Sequence, residues 1–328
     1  MHNETTAQFR ILALDGGGIK GAFTASVLAA LEEDTGKRCV DHFDLIAGTS
    51  TGGIIALGLG LGLSAAEIRD FYSNCGPTIF PSTSLARRWR DVARHIVKPK
   101  HNHELLRGAV ARILGDRKFG QSQRPLVIPT YDANSGQIFV LKTAHHNHFK
   151  HDHNALAVDV ALATSAAPTY FAASKFPLHE HNSYVDGGVW ANSPALVALV
   201  EAVHFMGQPL ESIDILSVGT TGTPFNVSKK YRSGILGWNA GLVEILMNAQ
   251  QEAANAQAML LVNGRFHRIN YQASRGQFAL DDARPLQIER LVAIGRGEGV
   301  KKANVEVVRT RFLNGKHAPL FEPVYTAE

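Results

Sequence analysis

Cysteine is nearly missing from this chain: Cys39 and Cys75 are the only two in 328 residues. They form no C-x-x-C pattern, and two thiols cannot supply a disulfide framework. A reducing, cytosolic setting is therefore expected. Long apolar runs are missing as well. The longest, Ile54 to Leu63, has ten residues, three of them glycine, whereas a membrane-crossing helix needs roughly 20. The opening Met1-His2-Asn3-Glu4-Thr5-Thr6 lacks the basic and apolar blocks of a secretion signal. Charge of one sign is barely in excess, with 33 Lys and Arg against 29 Asp and Glu, a net +4. That balance does not single out nucleic acid as a partner, and none is expected; it suits an anionic membrane surface or anionic ligand. There is no internal repeat and no low-complexity tract. What remains is a chain with 45% hydrophobic residues, able to fill a sizeable core and to meet a membrane only peripherally.

The most informative stretch is Phe43-Asp44-Leu45-Ile46-Ala47-Gly48-Thr49-Ser50-Thr51-Gly52-Gly53. An apolar strand pattern stops at Gly48, Ser50 follows, and after Gly52 the apolar run Ile54 to Leu63 reads as a helix. G-x-S-x-G between strand and helix is the sequence form of a nucleophile elbow. The serine must stand on a tight, strained turn, and Gly48 and Gly52 flank it where strand and helix pass too close for a Cβ.

Upstream, Phe9 to Leu14 reads as a buried strand broken by Gly16-Gly17-Gly18, with a helix from about Gly21 to Glu33 that stops near Gly36. Ser64-Ala65-Ala66-Glu67 is a capping-box sequence opening a helix through Ile68, Phe71 and Tyr72. Gly76 to Arg124 is irregular, with a basic cluster (Arg87, Arg88, Arg90, Arg94, Lys98, Lys100) and a firm helix pattern only over His103 to Leu114. It reads as an excursion covering the site or as a solvated basic face. Pro125 to Thr130 and Gln137 to Thr143 are strands joined by a hairpin turn at Asp132 to Gly136. Helices follow over Val158 to Ala167 and Pro194 to Phe205, with strands at Tyr184 to Asp186, Ile213 to Val218 and Phe266 to Asn270. Trp238, Leu242, Ile245, Leu246, Ala249, Ala253 and Leu260 fall at helical spacing and are expected to pack as core; Ile288 to Phe312 is largely helical. The alternation gives an α/β fold with a mainly parallel central sheet and helices on both faces. We read one domain over 1–328: a core of about 9–220 with the excursion at about 76–124, and a mostly helical part at 221–328 packed on it. Asp15 to Gly18, Ser50 and Asp186 to Gly188 all follow strand ends, so they can meet at one sheet edge.

A serine nucleophile needs a base and donors for the oxyanion. Bare N–H groups at Gly16, Gly17 and Gly18 are candidate donors, with Thr51 N–H as another. Gly16-Gly17-Gly18-Ile19-Lys20-Gly21 is equally a literal G-x-G-x-x-G, with Asp34, Asp41 or Asp44 near the distance for a ribose carboxylate, so a nucleotide-binding protein is the rival reading. The elbow some thirty residues later argues against it. For the base, one option is a Ser-His-Asp triad of α/β-hydrolase type, but Ser50 follows only the second strand. His204, His267 and His317 lie in unpromising contexts. The other is a dyad with Asp186, whose turn Asp186-Gly187-Gly188 permits close approach and whose pKa burial would raise. The histidine tract (His145, His146, His148, His151, His153) reads as a polar loop rather than a metal site.

Taken in order, Asp15-Gly16-Gly17-Gly18-Ile19-Lys20-Gly21, Gly48-Thr49-Ser50-Thr51-Gly52 and Asp186-Gly187-Gly188 resemble the patatin-like phospholipases. Ala163-Thr164-Ser165-Ala166-Ala167-Pro168-Thr169-Tyr170-Phe171 is similar to that family's segment between nucleophile and aspartate, so the resemblance covers roughly Phe9 to Val218. It implies a three-layer patatin-like fold and lipid acyl hydrolysis by a Ser-Asp dyad with no cofactor. Ser50 would be the nucleophile, Asp186 the general base and Gly16 to Gly18 the oxyanion loop. Lys20 stands where the family commonly has arginine, which keeps the charge near the loop but loses bidentate hydrogen bonding. A looser resemblance, to short bacterial phospholipase effectors of anti-phage (CBASS) signalling, implies a cyclic oligonucleotide activator and the cell's own phospholipid membrane as the target. The oligomeric state stays open, a homo-oligomer included.

Overall fold

The computed structural model describes residues 8–81, 100–179, 182–222 and 240–327, and within them one sheet of eight strands. In chain order the elements are β1 (Phe9–Leu14), α1 (Gly21–Thr35), β2 (Leu45–Gly48), α2 (Thr51–Gly60), α3 (Ala65–Ile79), α4 (His103–Leu114), β3 (Leu126–Asp132), β4 (Gln137–Lys142) and α5 (Ala157–Ser165). Next come β5 (Ser174–Lys175), β6 (Ser183–Asp186), α6 (Gly188–Ala191), α7 (Ala195–His204), β7 (Ile213–Val218), α8 (Ala240–Leu261), β8 (Phe266–Ile269), α9 (Pro285–Gly299) and α10 (Lys302–Val307). A π-helical turn at Val308–Phe312 ends the series. Arg87, Arg88, Arg90, Arg94, Lys98 and Trp238 lie outside the described residues.

The strands alternate in which face they bury. Leu12, Leu14, Ile46, Leu216 and Val218 join a cluster with α1 to α5 and α9, while Ile11, Ala13, Leu45, Ala47, Ile213 and Ile215 pack against α7 and α8. Both faces are therefore covered, which is why these strands read as continuous apolar runs. Helix α1 is buried from Gly21 through Leu31, packed against α9 and α3. Gly36 closes it at φ 67°, and the expected capping box is present at Ser64 and Glu67.

The sheet is parallel through β3-β2-β1-β7-β8 and antiparallel where β4, β6 and β5 are added. β4 occupies one edge of β3 over Val127 to Asp132. β2 and β6 therefore share the other edge: β2 pairs with Leu126 and Val127, and β6, running the opposite way, with Thr130 to Asp132. The carboxyl ends of β2 and β6 thus point at each other across Ile128 and Pro129. Proline suits that gap, since it has no N–H to leave without a ladder partner.

The α8 expectation needs correction. Leu246, Ala249, Ala253 and Leu260 are exposed, and the buried positions are Asn255, Ala258 and, just past the helix end, Val262. The helix turns a polar face inward because it packs on a backbone turn with hydrogen bonds to fill, described next. Among the described residues no helix is long and apolar enough to cross a membrane.

Candidate active site

Ser50 sits at φ 55° and ψ −122° between β2 and α2, a conformation that costs a non-glycine residue about 1–3 kcal/mol. The turn is tight enough that a Cβ on Gly48 would lie 2.1 Å from the Gly52 carbonyl oxygen, and one on Gly52 would lie 2.2 Å from that of Leu14. Hydrogen bonds hold the strained residue. Thr49 N–H donates to the Leu14 carbonyl at 3.1 Å and Thr49 Oγ1 to the Ala191 carbonyl at 2.6 Å. Ser50 N–H donates to Thr164 Oγ1 at 3.0 Å, and the Thr164 hydroxyl to the Pro129 carbonyl at 2.8 Å.

Asp186 ends β6, its N–H donating to the Ala166 carbonyl at 3.0 Å. The chain then folds over Pro129 so closely that a Cβ on Gly187 would lie 2.2 Å from the Pro129 oxygen. Gly188 N–H donates to Asp186 Oδ1 at 2.7 Å. Asp186 is 5% exposed, and burial pushes its pKa up to about 6, against the opposing pull of hydrogen bonds from the Ser50 side chain and Gly188 N–H. A carboxylate in hydrogen-bonding reach of Ser50 with that pKa is a much better base than a solvated one.

The glycine loop lies on the other side of Ser50, after β1. Gly16 N–H donates to the Asn192 carbonyl at 2.9 Å, so that donor is already engaged. Gly17 and Gly18 line the cavity above Ser50; they open a short 3-10 turn, so their N–H groups have no intrahelical acceptor. Thr51, the first residue of α2, offers an N–H at a helix amino end, whose partial positive charge favours an oxyanion. Its side chain shares a hydrogen bond with the buried Tyr72 hydroxyl. Lys20 turns away from the cavity, with Nζ 3.3 Å from the Thr221 carbonyl. Beneath the loop, the fully buried Asp15 pairs with Arg268, which also donates to Ser217 Oγ at 2.6 Å.

The cavity walls are apolar: Ile54, Phe71, Ile79, Phe80, Leu106 and Phe171 face it. Such a lining excludes water and accepts hydrocarbon. Ser165 also borders it, with a buried hydroxyl that has no hydrogen-bond partner among the described residues. No histidine lines the cavity among the described residues. His204 is exposed, His267 bonds Asn304 at 3.2 Å and His317 packs at a tilt against His42. Of the carboxylates weighed for a ribose, Asp34 pairs with Arg309 and Asp44 accepts the Arg10 N–H. In the histidine tract, His145 is buried against Glu201 at 2.9 Å, and His146, His148, Phe149 and Phe205 form a cluster of rings.

Several supporting residues escape sequence reasoning. Asn192 Nδ2 bonds Gln251 Oε1 at 2.5 Å and reaches the Gly16 carbonyl at 3.4 Å. Gln250 bridges the turn, its Nε2 donating to the Gly188 carbonyl at 3.0 Å and its Oε1 accepting from Asn192 N–H at 3.2 Å. Ser193 Oγ donates to Asn255 Oδ1 at 2.8 Å, and Thr220 Oγ1 to the Gly16 carbonyl at 2.8 Å. The one available signal was a helical stripe of polar residues, Gln250, Gln251 and Asn255, within a run otherwise read for its leucines.

A family model described as patatin-like phospholipase matches residues 12–199. Among curated proteins, a cGAMP-activated phospholipase of Pseudomonas aeruginosa is 30% identical over 326 residues, covering 96% of this chain and 91% of that one. A cGAMP-activated phospholipase of Vibrio cholerae is 35% identical over 321 residues, covering 88% of this chain and 90% of its own. Among solved structures, VipD from Legionella pneumophila superposes with a TM-score of 0.48 at 12% identity, covering 91% of this chain and 67% of that one.

Proposed function

Because the chain belongs to the patatin-like phospholipase family of serine lipid acyl hydrolases, we propose that it cleaves the acyl esters of membrane phospholipids with Ser50 and Asp186 as its catalytic dyad. The observation that carries this reading is a buried aspartate of pKa about 6 in hydrogen-bonding reach of a serine held at φ 55°. The acyl chain lies in the apolar cavity, and the enzyme meets the membrane peripherally. Ser50 Oγ attacks the ester carbon and Asp186 takes its proton. Charge gathers on the carbonyl oxygen, which the N–H groups of Gly17, Gly18 and Thr51 stabilise. The carbon–oxygen bond to the glycerol side breaks, and Asp186 returns the proton to the departing lysolipid. Water then attacks the acyl-enzyme, again giving its proton to Asp186, and the fatty acid leaves as Ser50 is reprotonated.

The test is lipid-product analysis on phospholipid vesicles with wild type, Ser50→Ala and Asp186→Asn. Both variants are expected to lose fatty-acid release by about a thousandfold or more. Full activity in either folded variant would remove the dyad.

We infer in addition that a cyclic dinucleotide raises this activity, since relatives aligned over about nine-tenths of their length carry cGAMP-activated in their names. Adding cGAMP and other cyclic di- and trinucleotides to the vesicle assay should stimulate the wild type and leave Ser50→Ala silent. No response to any of them would end this part of the reading.

A further inference from the structure

The glycine loop does not hold itself. Gly18 has φ 58°, and a Cβ there would lie 2.2 Å from the Leu280 carbonyl oxygen. That same oxygen accepts the Ile19 N–H at 2.9 Å. Leu280 therefore sits directly against the loop, and it borders the cavity. It belongs to an irregular segment between β8 and α9, beyond the bridge that ties Gln272 to Gly222. What fixes it is the next residue. Asp281 accepts from His101 Nε2 at 3.0 Å and pairs with Lys100 Nζ through the same carboxylate oxygen. Although burial alone would raise its pKa, the hydrogen bonds from His101 and Lys100 hold the Asp281 carboxyl below its ordinary value.

The two donors are themselves anchored to the cavity wall. Lys100 N–H donates to the Thr169 carbonyl at 3.0 Å and His101 N–H to the Tyr170 carbonyl at 2.8 Å. The His101 ring is 5% exposed and packs edge-on to Phe80 with centroids 5.1 Å apart. A continuous set of contacts thus runs from the chain just ahead of α4, through Asp281 and Leu280, to Gly18 and Ile19.

From these contacts we infer that Asp281 is a positioning residue for the oxyanion-binding loop, and that Lys100 and His101 form with it a latch that sets where the Gly17 and Gly18 N–H groups point. The inference rests on the acyl-hydrolase reading above. The latch acts on the donors rather than on the acyl-chain site, so its loss falls on the transition state and not on ground-state binding.

The experiment compares two probes on the full-length protein. One is a fatty-acyl trifluoromethyl ketone, whose adduct with Ser50 carries an oxyanion. The other is an ether phospholipid, which fills the cavity without a carbonyl at the scissile position. Asp281→Ala is expected to lower kcat by about tenfold or more and to weaken the ketone by the same factor, with KM and ether-lipid affinity within about twofold of wild type. Lys100→Met, at a half-exposed side chain that tolerates substitution, should shift the same two quantities by a smaller factor. The double variant should lose less than the product of the single losses. Equal weakening of both probes would assign Asp281 a merely structural role, and an unchanged ketone affinity in Asp281→Ala or Lys100→Met would overturn the latch. Ser50→Ala serves as the control for the underlying reading. If it binds the ketone as wild type does, the acyl-hydrolase assignment of Ser50 fails; if it alone loses the ketone, only the latch fails.

Discussion

Ser50 and Thr164 are joined through the backbone of the proposed nucleophile. The Ser50 N–H ends on Thr164 Oγ1, and the Thr164 hydroxyl ends on the Pro129 carbonyl. One side chain of α5 thus satisfies a donor of the elbow and an acceptor in the gap between β2 and β6. Thr164→Val keeps the volume and leaves both groups unpaired in a buried site. Its unfolding free energy should fall on the order of 2–4 kcal/mol, and ester hydrolysis should fall with it, while Thr164→Ser stays within about 1 kcal/mol of wild type. Urea unfolding beside an esterase assay checks the pair; equal behaviour of Val and Ser would show that the hydroxyl does not matter.

Asp186 is expected to weaken the fold that holds it. Its native pKa of about 6 lies above the value near 3.9 of an unfolded aspartate, so the native state binds the proton more tightly. Below about pH 4 both states carry that proton and the burial of charge costs nothing. As pH rises through about 6, the native carboxylate ionises in its buried site and stability is lost. Asp186→Asn should therefore be inactive yet more stable than wild type at about pH 8, on the order of 2–3 kcal/mol, with the difference closing near pH 4. A gap that stays constant with pH would show that the substitution acts through packing instead. By the same proton, wild-type kcat/KM should decline about tenfold per pH unit below roughly pH 6.

Gly18→Ala tests the loop directly. The new Cβ meets the Leu280 oxygen, and φ 58° is unfavourable for alanine in any case, by about 1–2 kcal/mol. The chain can relax only by moving the loop and Leu280 apart. Activity should fall by about a hundredfold or more through the displaced donors, with a far smaller loss in thermal stability. A fully active Gly18→Ala would mean that the loop's donors are not used.

Arg268→Met leaves the fully buried Asp15 without its cation. Breaking one partner of a buried pair costs about 3–5 kcal/mol, while removing both is far milder. Arg268→Met should be strongly destabilised, and adding Asp15→Asn should recover more than half of the loss in denaturant unfolding. If the double variant is no better than the single one, the pair is not what stabilises the loop's base.

Much of the site is legible in the sequence because its signals are local. The elbow, the triple glycine and the Asp-Gly-Gly turn each announce themselves within a few residues, and parallel strands alternating with helices bring their ends to one edge. Features set by distant partners are not legible in this way. Nothing near Gly16 shows that its N–H belongs to the Asn192 carbonyl, which narrows the proposed oxyanion donors to Gly17, Gly18 and Thr51. The antiparallel entry of β6 depends on a long-range choice of edge. Helix α8 misleads because apolar periodicity is read as core. Its Leu246 and Leu260 face outward, while Gln250 turns in to the Gly188 carbonyl and the Asn192 N–H, and Gln251 and Asn255 accept from the side chains of Asn192 and Ser193. Polarity on this inward helix face is the trace of a neighbouring turn whose backbone and side-chain polar groups both need partners.

Because β2 and β6 abut end to end on one edge of β3, the separation of Ser50 from Asp186 is measured off along that single strand. Ile128 and Pro129 are the graduations of the ruler. Each residue inserted between Val127 and Thr130 would push the two halves apart by about 3.3 Å, and loops that lengthen elsewhere would leave the spacing untouched. Of the strand lengths around the candidate site, this short stretch of β3 is the one that sets the spacing between the ends of β2 and β6.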